Sequence, residues 1–417
     1  MNSEELHNEA KRLIPGGVSS PVRAYKPYPV YIKSGSGSKI KDVDGKEYID
    51  YCMGFGPLIL GHANQTIISK VKEEMDGGVL FGAPIEQEIT LAKKITSHFP
   101  MDMVRFVNTG TEATMSALRL ARGYTKRDKI IKIEGAFHGA HDAVLAKAGS
   151  GAATIPSSPG VPEDFTKNTI LVPYNDLDAV ESAIKESKDE IAALILEPIM
   201  GNVGVVLPKD GYLESLREIT ASNDILLIFD EVITGFRIGI GGVQSRYSIV
   251  PDLTTLGKIV GGGFPIGIFG GRADIMERIA PNGDVYQAGT FSGNPISLTA
   301  GIATIDILEK EDVYESIDAM GESIRKGLNE VVSDLGLDYV VSGIGSMFQI
   351  FFTGGEVKDY NDVKRSDLDS FMNMFRSMLK KGVFLPPSQF ETNFVSYAHT
   401  SGDVEETIAA YEASLRG

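Results

Sequence analysis

Asp230 closes the apolar run Leu226-Leu227-Ile228-Phe229, and Glu231-Val232-Ile233-Thr234-Gly235-Phe236-Arg237 follows it; Lys258 stands just after Thr254-Thr255-Leu256-Gly257. An acid at the end of one buried strand can keep a pyridine nitrogen protonated. A lysine on the turn after the next strand can form an imine with an aldehyde. The pair therefore suggests a pyridoxal phosphate site, whose ring and aldehyde need both groups. Taken singly, an Asp ending an apolar strand is usually a turn or helix-cap residue, and a Gly-Lys such as Gly257-Lys258 usually a solvated loop. Their surroundings separate the two readings. Four apolar residues before Asp230 mark a strand buried on both faces, and ligands of α/β sheets gather at the carboxyl ends of such strands. Gly261-Gly262-Gly263 beyond Lys258 offers an adaptable backbone that lets the amine approach and leave a ligand. The lysine does not fit a P-loop, because Ile259 follows it instead of Ser or Thr and Asp252 stands where the first glycine belongs, which argues against nucleoside triphosphate chemistry.

Three further segments follow apolar runs. Asn108-Thr109-Gly110-Thr111-Glu112 opens a helix, so its N–H groups and dipole offer an anion site. On local sequence alone an ordinary N-cap, with Thr109 or Thr111 as the capping residue, is the more common case. Gly135-Ala136-Phe137-His138-Gly139 could set an aromatic ring against a planar ligand, although Phe137 alone suits a core and His138 reads as a satisfied structural histidine, not a general base. Glu197-Pro198-Ile199-Met200-Gly201-Asn202 adds polar groups at another strand end. Four strand ends converging on one rim are harder to explain by packing than any one of them.

The elements that must position these residues alternate. A helix over Ser3–Leu13, strands at 31–32 and Lys39–Asp42, and a turn at Asp44-Gly45 form a small α+β element. From about Gly61 the pattern becomes helix 86–97, strand 104–107, helix 111–122 and strand Lys129–Ile133. It continues as strand 170–172, helix Leu177–Glu186, strand 192–196, helix Tyr212–Ser222, strand 225–229 and strand 266–270. Such alternation implies parallel pairing through right-handed crossovers, hence an α/β, mostly parallel, doubly wound sheet. A helix from 297 to about 308 leads into a second α+β stretch containing a strand at 347–352. The expected division is residues 1–60 and 311–417 as a smaller α+β domain made from both chain ends, 61–310 as the large domain, and a ligand cleft between them.

A chain of 417 residues is long for one core, in keeping with that division. A formal charge of −16 argues against nucleic acid or an anionic membrane as a partner, since both require concentrated positive charge. Cys52 is the only cysteine, so no intramolecular disulfide can form, and it suits a buried small hydrophobe better than a nucleophile. No Cys/His cluster has zinc-ligand spacing, so no metal is expected. The first fourteen residues lack the apolar core of a signal peptide, and no run reaches the ~18 apolar residues that span a bilayer. A cytoplasmic protein is the expectation.

The chain resembles the class III, fold type I pyridoxal phosphate-dependent aminotransferase family. The matching segments run from about residue 14 to 400. They are Ile14-Pro15-Gly16-Gly17-Val18 with Ser20-Pro21-Val22-Arg23, Asn108 to Glu112, Lys147-Ala148-Gly149-Ser150-Gly151, Ser158-Pro159-Gly160-Val161-Pro162, Asp230 to Arg237, Thr254 to Gly263, Tyr286-Gln287-Ala288-Gly289-Thr290, Ser292-Gly293-Asn294-Pro295 and Ser388-Gln389-Phe390-Glu391. The Ser-Pro-Val-Arg, Gly-Ser-Gly and Gln-Phe-Glu segments are particular to an aminomutase branch of the class.

The resemblance implies that Lys258 forms the imine and shuttles protons, Asp230 pairs with the pyridine nitrogen, and Phe137 and Val232 sandwich the ring. It implies that Gly110 and Thr111 bind the phosphate with Thr290 of a neighbouring subunit, so that a homodimer completes the site. Asn202 would lie near the ring hydroxyl, with Glu197 supporting that side. Ser20 and Arg23 would hold a substrate carboxylate, Phe55 and Glu391 would line the substrate side, and residues 149–162, with Gly149, Ser150 and Gly151, would form a lid. The family often has Tyr where Phe137 stands and Trp where Phe55 stands. The implied reaction is intramolecular amino transfer turning (S)-4-amino-5-oxopentanoate into 5-aminolevulinate through 4,5-diaminovalerate, for tetrapyrrole synthesis. It cycles between pyridoxal and pyridoxamine 5′-phosphate, and a glutamyl-tRNA reductase could hand over the aldehyde. The rivals are an ω-aminotransferase with a separate acceptor such as 2-oxoglutarate, a racemase of the same fold, and a noncatalytic binding protein.

Overall fold

Strands whose every residue is buried must be covered on both faces, and the computed structural model, which describes residues 1–145 and 158–416, shows how this is done. Near the amino end lie helix α1 (Ser3–Leu13) and strands β1 (Ile32–Ser36), β2 (Lys39–Asp42) and β3 (Glu47–Asp50). Helices α2 (Gln65–Gly77), α3 (Glu86–His98) and α4 (Gly110–Thr125) then accompany the start of the large sheet. Its strands are β4 (Met103–Val107), β5 (Lys129–Ile133), β6 (Thr169–Val172), β7 (Ile191–Leu196), β8 (Leu226–Asp230), β9 (Leu253–Gly257) and β10 (Gly267–Gly271). They are ordered β4-β10-β9-β8-β7-β5-β6.

Alternate residues of β7 show the two covered faces. Ala193 and Ile195 pack with Ala113, Ala117 and Leu120 of α4, whereas Leu194 and Leu196 pack with Val180, Ile184, Tyr212 and Leu216 from the helices Leu177–Glu186 and Tyr212–Ser222. A third cluster joins Leu256 and Ile268 to Ile67, Leu91, Ile95 and the helix Pro295–Lys310. β5, β6, β7, β8 and β9 pair in parallel, as the alternation predicts. β10 departs from it. It runs antiparallel to both β9 and β4, because the nine residues 258–266 joining it to β9 are too few for a helical crossover.

Sequence patterns missed α2, which Asn64 caps by accepting from the Thr66 and Ile67 N–H groups. They also placed the start of the helix Pro295–Lys310 late. Asn294 caps it with Pro295 in the first turn, where the absent proline N–H costs nothing. Beyond it come β11 (Val340–Ile344), β12 (Met347–Phe351), β13 (Val383–Phe384) and β14 (Asn393–Phe394). β13 pairs in parallel with β3, so one small sheet holds strands from both ends of the chain. Among the described residues no helix is long and apolar enough to cross a membrane.

Candidate active site

The carboxyl ends of β4, β5, β7, β8 and β9 open on one cleft of about 840 Å³. Asn108, Gly110 and Thr111, then Phe137 and His138, then Glu197 and Asn202, then Asp230 and Val232, and finally Lys258 line it. Ser20, Phe55 and Glu391 complete its walls from the two chain ends. The rim read from the strand ends is therefore one site.

Asp230 is buried. Its Oδ1 accepts the Val232 N–H at 3.1 Å and the Thr255 hydroxyl at 3.0 Å, and its Oδ2 lies 2.7 Å from His138 Nδ1. Thr255 is its cross-strand partner. These three contacts hold one carboxylate orientation, which suits an acid that must meet a ring nitrogen at a fixed place. Lys258 takes a left-handed backbone, φ 49°, a strained state for a side-chain-bearing residue of the kind that clusters at functional sites. Burial lowers its ammonium pKa against the upward pull of Glu391, Glu197 and Asp230, with Arg237 adding to the fall. A depressed amine pKa raises the fraction of neutral nucleophile.

Thr109 caps α4 by accepting the Glu112 N–H at 3.1 Å, and the Glu112 carboxylate reaches back to the Asn108 N–H. Gly110 and Thr111 thus present the first turn of a sixteen-residue helix to the cleft, a place for an anion. The glycines here keep space. A Cβ on Gly139, at φ 91°, would meet the Thr111 backbone at 2.6 Å, and one on Gly110 would stand 3.1 Å from Val232 Cγ1.

Glu197 is a brace. Its Oε1 accepts the Phe137 N–H at 3.0 Å and its Oε2 the Gly201 and Asn202 N–H groups at 2.9 and 3.2 Å, so it ties the loops after β5 and β7 together. The Thr392 hydroxyl donates to Gly201 O at 2.8 Å, joining the Glu391 loop to the same frame. Glu231 serves structure as well. It accepts the Val243 and Gln244 N–H groups and the Thr234 hydroxyl, so the Asp-Glu pair divides its work, one acid facing the cleft and the other buried beneath it.

Two sequence candidates lie beside the cleft. Arg23 lines an adjoining cavity of about 490 Å³, which shares Ser19 and Phe55 with the cleft. Thr290 is exposed and outside the cleft of its own chain, on a segment anchored by Arg105 Nη1 to Gln287 Oε1 at 3.0 Å and Arg119 Nη1 to Tyr286 O at 3.2 Å. Gly149, Ser150 and Gly151 lie outside the described residues. Cys52 is buried. Sequence reasoning left His138 as a structural histidine and assigned no role to Thr255 or Arg237; the register of β8 against β9 was the one signal that could have found Thr255.

The arrangement offers an oriented acid, an amine made less basic by burial, and a helix terminus for an anion, all on one cleft. It fits a flat, phosphorylated pyridine bearing an aldehyde.

Comparison with known proteins agrees. The model of the family Aminotransferase class-III matches residues 21–398. The chain is 57% identical over 416 residues to glutamate-1-semialdehyde 2,1-aminomutase of Methanosarcina acetivorans, covering 99% of this chain and 98% of that one. Its fold superposes with TM-score 0.93 on an omega-transaminase from Sphaerobacter thermophilus, at 33% identity over 99% of this chain and 97% of that one. With TM-score 0.90 and 25% identity it matches a glutamate-1-semialdehyde-aminomutase from Pseudomonas aeruginosa PAO1, over 99% of this chain and 94% of that one, and it matches a variant of that enzyme in complex with PMP equally well.

Proposed function

We propose, from the premise that this chain belongs to the class-III aminotransferase family, that it converts (S)-4-amino-5-oxopentanoate into 5-aminolevulinate by moving an amino group within one carbon skeleton, through 4,5-diaminovalerate. The product is a precursor of tetrapyrroles. The observation that carries this reading is the 57% identity over nearly the whole chain to an aminomutase of that name. Pyridoxal 5′-phosphate, or its pyridoxamine form, would supply the electron sink and the amino-carrying chemistry when bound.

The chain's own residues do the rest. Lys258 Nζ would tether the cofactor and carry protons, and the Asp230 carboxylate, fixed by His138 and Thr255, would face the ring nitrogen. Gly110 and Thr111 at the start of α4 bind the phosphate. Phe137 and Val232 would confine the ring and Asn202 would lie near its hydroxyl, while Glu197 keeps the loops of Phe137 and Asn202 in place. Ser20 and Arg23 orient the substrate carboxylate, while Phe55 and Glu391 shape its side of the cleft.

The active form is a homodimer in which Thr290 completes the neighbouring phosphate site. Its exposure beside Tyr286 and Phe291, themselves 72% and 60% exposed, supports this, because large apolar side chains left in water mark an interface. A cytoplasmic enzyme receiving its unstable aldehyde from a glutamyl-tRNA reductase completes the reading.

The TM-score of 0.93 to an omega-transaminase favours a second reading, amino transfer between two different molecules with 2-oxoglutarate as acceptor. Purified protein given the amino aldehyde alone decides between them. Sustained formation of 5-aminolevulinate supports the mutase, and strict dependence on an added acceptor or donor overturns it.

A further inference from the structure

Met53, Gly54, Phe55 and Gly56 take four successive positive φ angles, 46°, 65°, 65° and 115°. Side-chain-bearing residues resist that region, so such a run persists only where its surroundings hold it. One end is held by Asp50, whose Oδ1 accepts the Cys52 and Met53 N–H groups at 2.8 and 3.2 Å while its Oδ2 lies 2.7 Å from His62 Nε2. The other end is held by Arg237, which donates from Nη2 to Gly56 O.

Arg237 has no accessible surface. Its Nη1 donates to Val395 O at 2.9 Å and Ser346 Oγ at 3.3 Å, and its guanidinium carbon stands 5.1 Å from the centre of the Phe394 ring. Among the described residues these oxygens are its hydrogen-bond partners, and no carboxylate pairs with it. With Asp318 acting on it only from beyond ion-pair distance, a fully buried cation held by neutral oxygens is costly and invites a role beyond packing. Its place suggests one. A Cβ on Gly56 would lie 3.4 Å from Phe394 Cζ and 3.5 Å from Lys258 Cδ, so the run passes between the ring under the guanidinium and the amine of the cleft. Phe55, within that run, lines both the cleft and the adjoining cavity that holds Arg23.

We infer that Arg237 is a positioning residue, which clamps the left-handed Met53–Gly56 run so that Phe55 stands as a fixed wall between the two cavities and limits the length of substrate the cleft accepts. The clamp spans the chain: one guanidinium joins Gly56 to the carboxyl-terminal Val395 and Ser346. A lysine keeps the charge but has no planar fork to reach three oxygens at once. The inference rests on the cleft being the substrate site, as proposed above.

The chain contains no tryptophan, so Phe55→Trp installs a single fluorophore on that wall. In Phe55→Trp alone the emission is expected to be blue-shifted and weakly quenched by acrylamide. Adding Arg237→Lys is expected to shift it to the red and raise the quenching constant. In turnover, Arg237→Lys lowers the preference for the five-carbon amino aldehyde over its six-carbon homologue by about tenfold, the equivalent of one lost charge-assisted hydrogen bond. It has no such effect once Phe55→Ala is present, because residues acting through one another are non-additive. Unchanged emission and quenching, or additive losses, would overturn the inference. Should Arg237→Lys fail to fold, Asp50→Ala with Phe55→Trp removes the acceptor that holds the opposite end of the run, and native-like emission there overturns it equally. The fluorescence is read without substrate, so it tests this clamp even if wild-type turnover shows the proposed reaction to be wrong.

Discussion

His138 Nδ1 and Asp230 Oδ2 lie 2.7 Å apart, both buried, at the ends of β5 and β8 with β7 between them. The Thr114 hydroxyl donates to His138 O, so the imidazole is carried on a backbone itself tied to α4. The acid proposed to face the ring nitrogen is thus oriented through two strand ends and a helix.

Replacing His138 by alanine leaves Asp230 with only its Val232 and Thr255 contacts. Loss of one charge-assisted hydrogen bond is expected to lower kcat about ten- to a hundredfold with a smaller change in KM. Steady-state kinetics at saturating cofactor check this, and a wild-type kcat would remove His138 from the positioning role.

Lys258→Ala is expected to abolish nearly all turnover while leaving the fold intact. Borohydride treatment of wild-type protein incubated with pyridoxal phosphate should add the cofactor's mass to the peptide containing Lys258. The variant should gain none. A labelled peptide elsewhere would move the nucleophile to another residue.

Lys132, on β5, is fully buried, and desolvation lowers its pKa to about 7 against the upward pull of Glu197 and Glu134. Its folded value lies below its ordinary 10.5, so between about 7 and 10.5 the unfolded chain binds more protons than the folded one. Stability contributed by this group therefore rises with pH through that window, and below it the fold carries the cost of burying a cation, offset in part by those carboxylates. Lys132→Met is expected to raise the Tm by several degrees at or below pH 7 and by much less near pH 10.5. The same gain at both would contradict the assignment.

Phe291→Glu places a carboxylate where a large apolar side chain is now 60% exposed. If that face joins two copies, the symmetric pair of charges weakens association by roughly a hundredfold, since like charges in an interface cost several kcal/mol. Light scattering should then show monomers, with activity recovering as protein concentration rises. Dimers of undiminished stability would place the contact elsewhere.

Much of the large sheet was legible because burial on both faces writes itself as unbroken apolar runs, such as Ile191–Leu196 and Leu226–Phe229, each ending in a polar residue at the rim. Asp230, Glu197, Gly110, Phe137 and Lys258 could be brought to one cleft from that pattern alone. The direction of β10 could not be read from its composition, since a five-residue buried strand looks the same either way round. Its short connection was the available sign. Contacts between distant segments were silent for a different reason. Nothing local to Phe236-Arg237 tells that its guanidinium will meet Gly56 and Val395, and Arg23 stands in a neighbouring cavity because of how the amino-terminal turns fold back, which no periodicity records.

The reversal of β10 also fixes a length. Gly267 is paired at once with Val107 of β4 and Gly257 of β9, so the turn that opens α4 and the turn that carries Lys258 leave the sheet from one row, two strand spacings apart, about 10 Å by ordinary sheet geometry. A Cβ on Gly267 would fall 2.1 Å from Thr109 O, so the row tolerates no side chain there. The sheet acts as a caliper whose jaws are a helix end and an amine. Any molecule gripped by both must match a gauge whose base is set by backbone hydrogen bonds, to within the reach of the lysine's four-carbon stem.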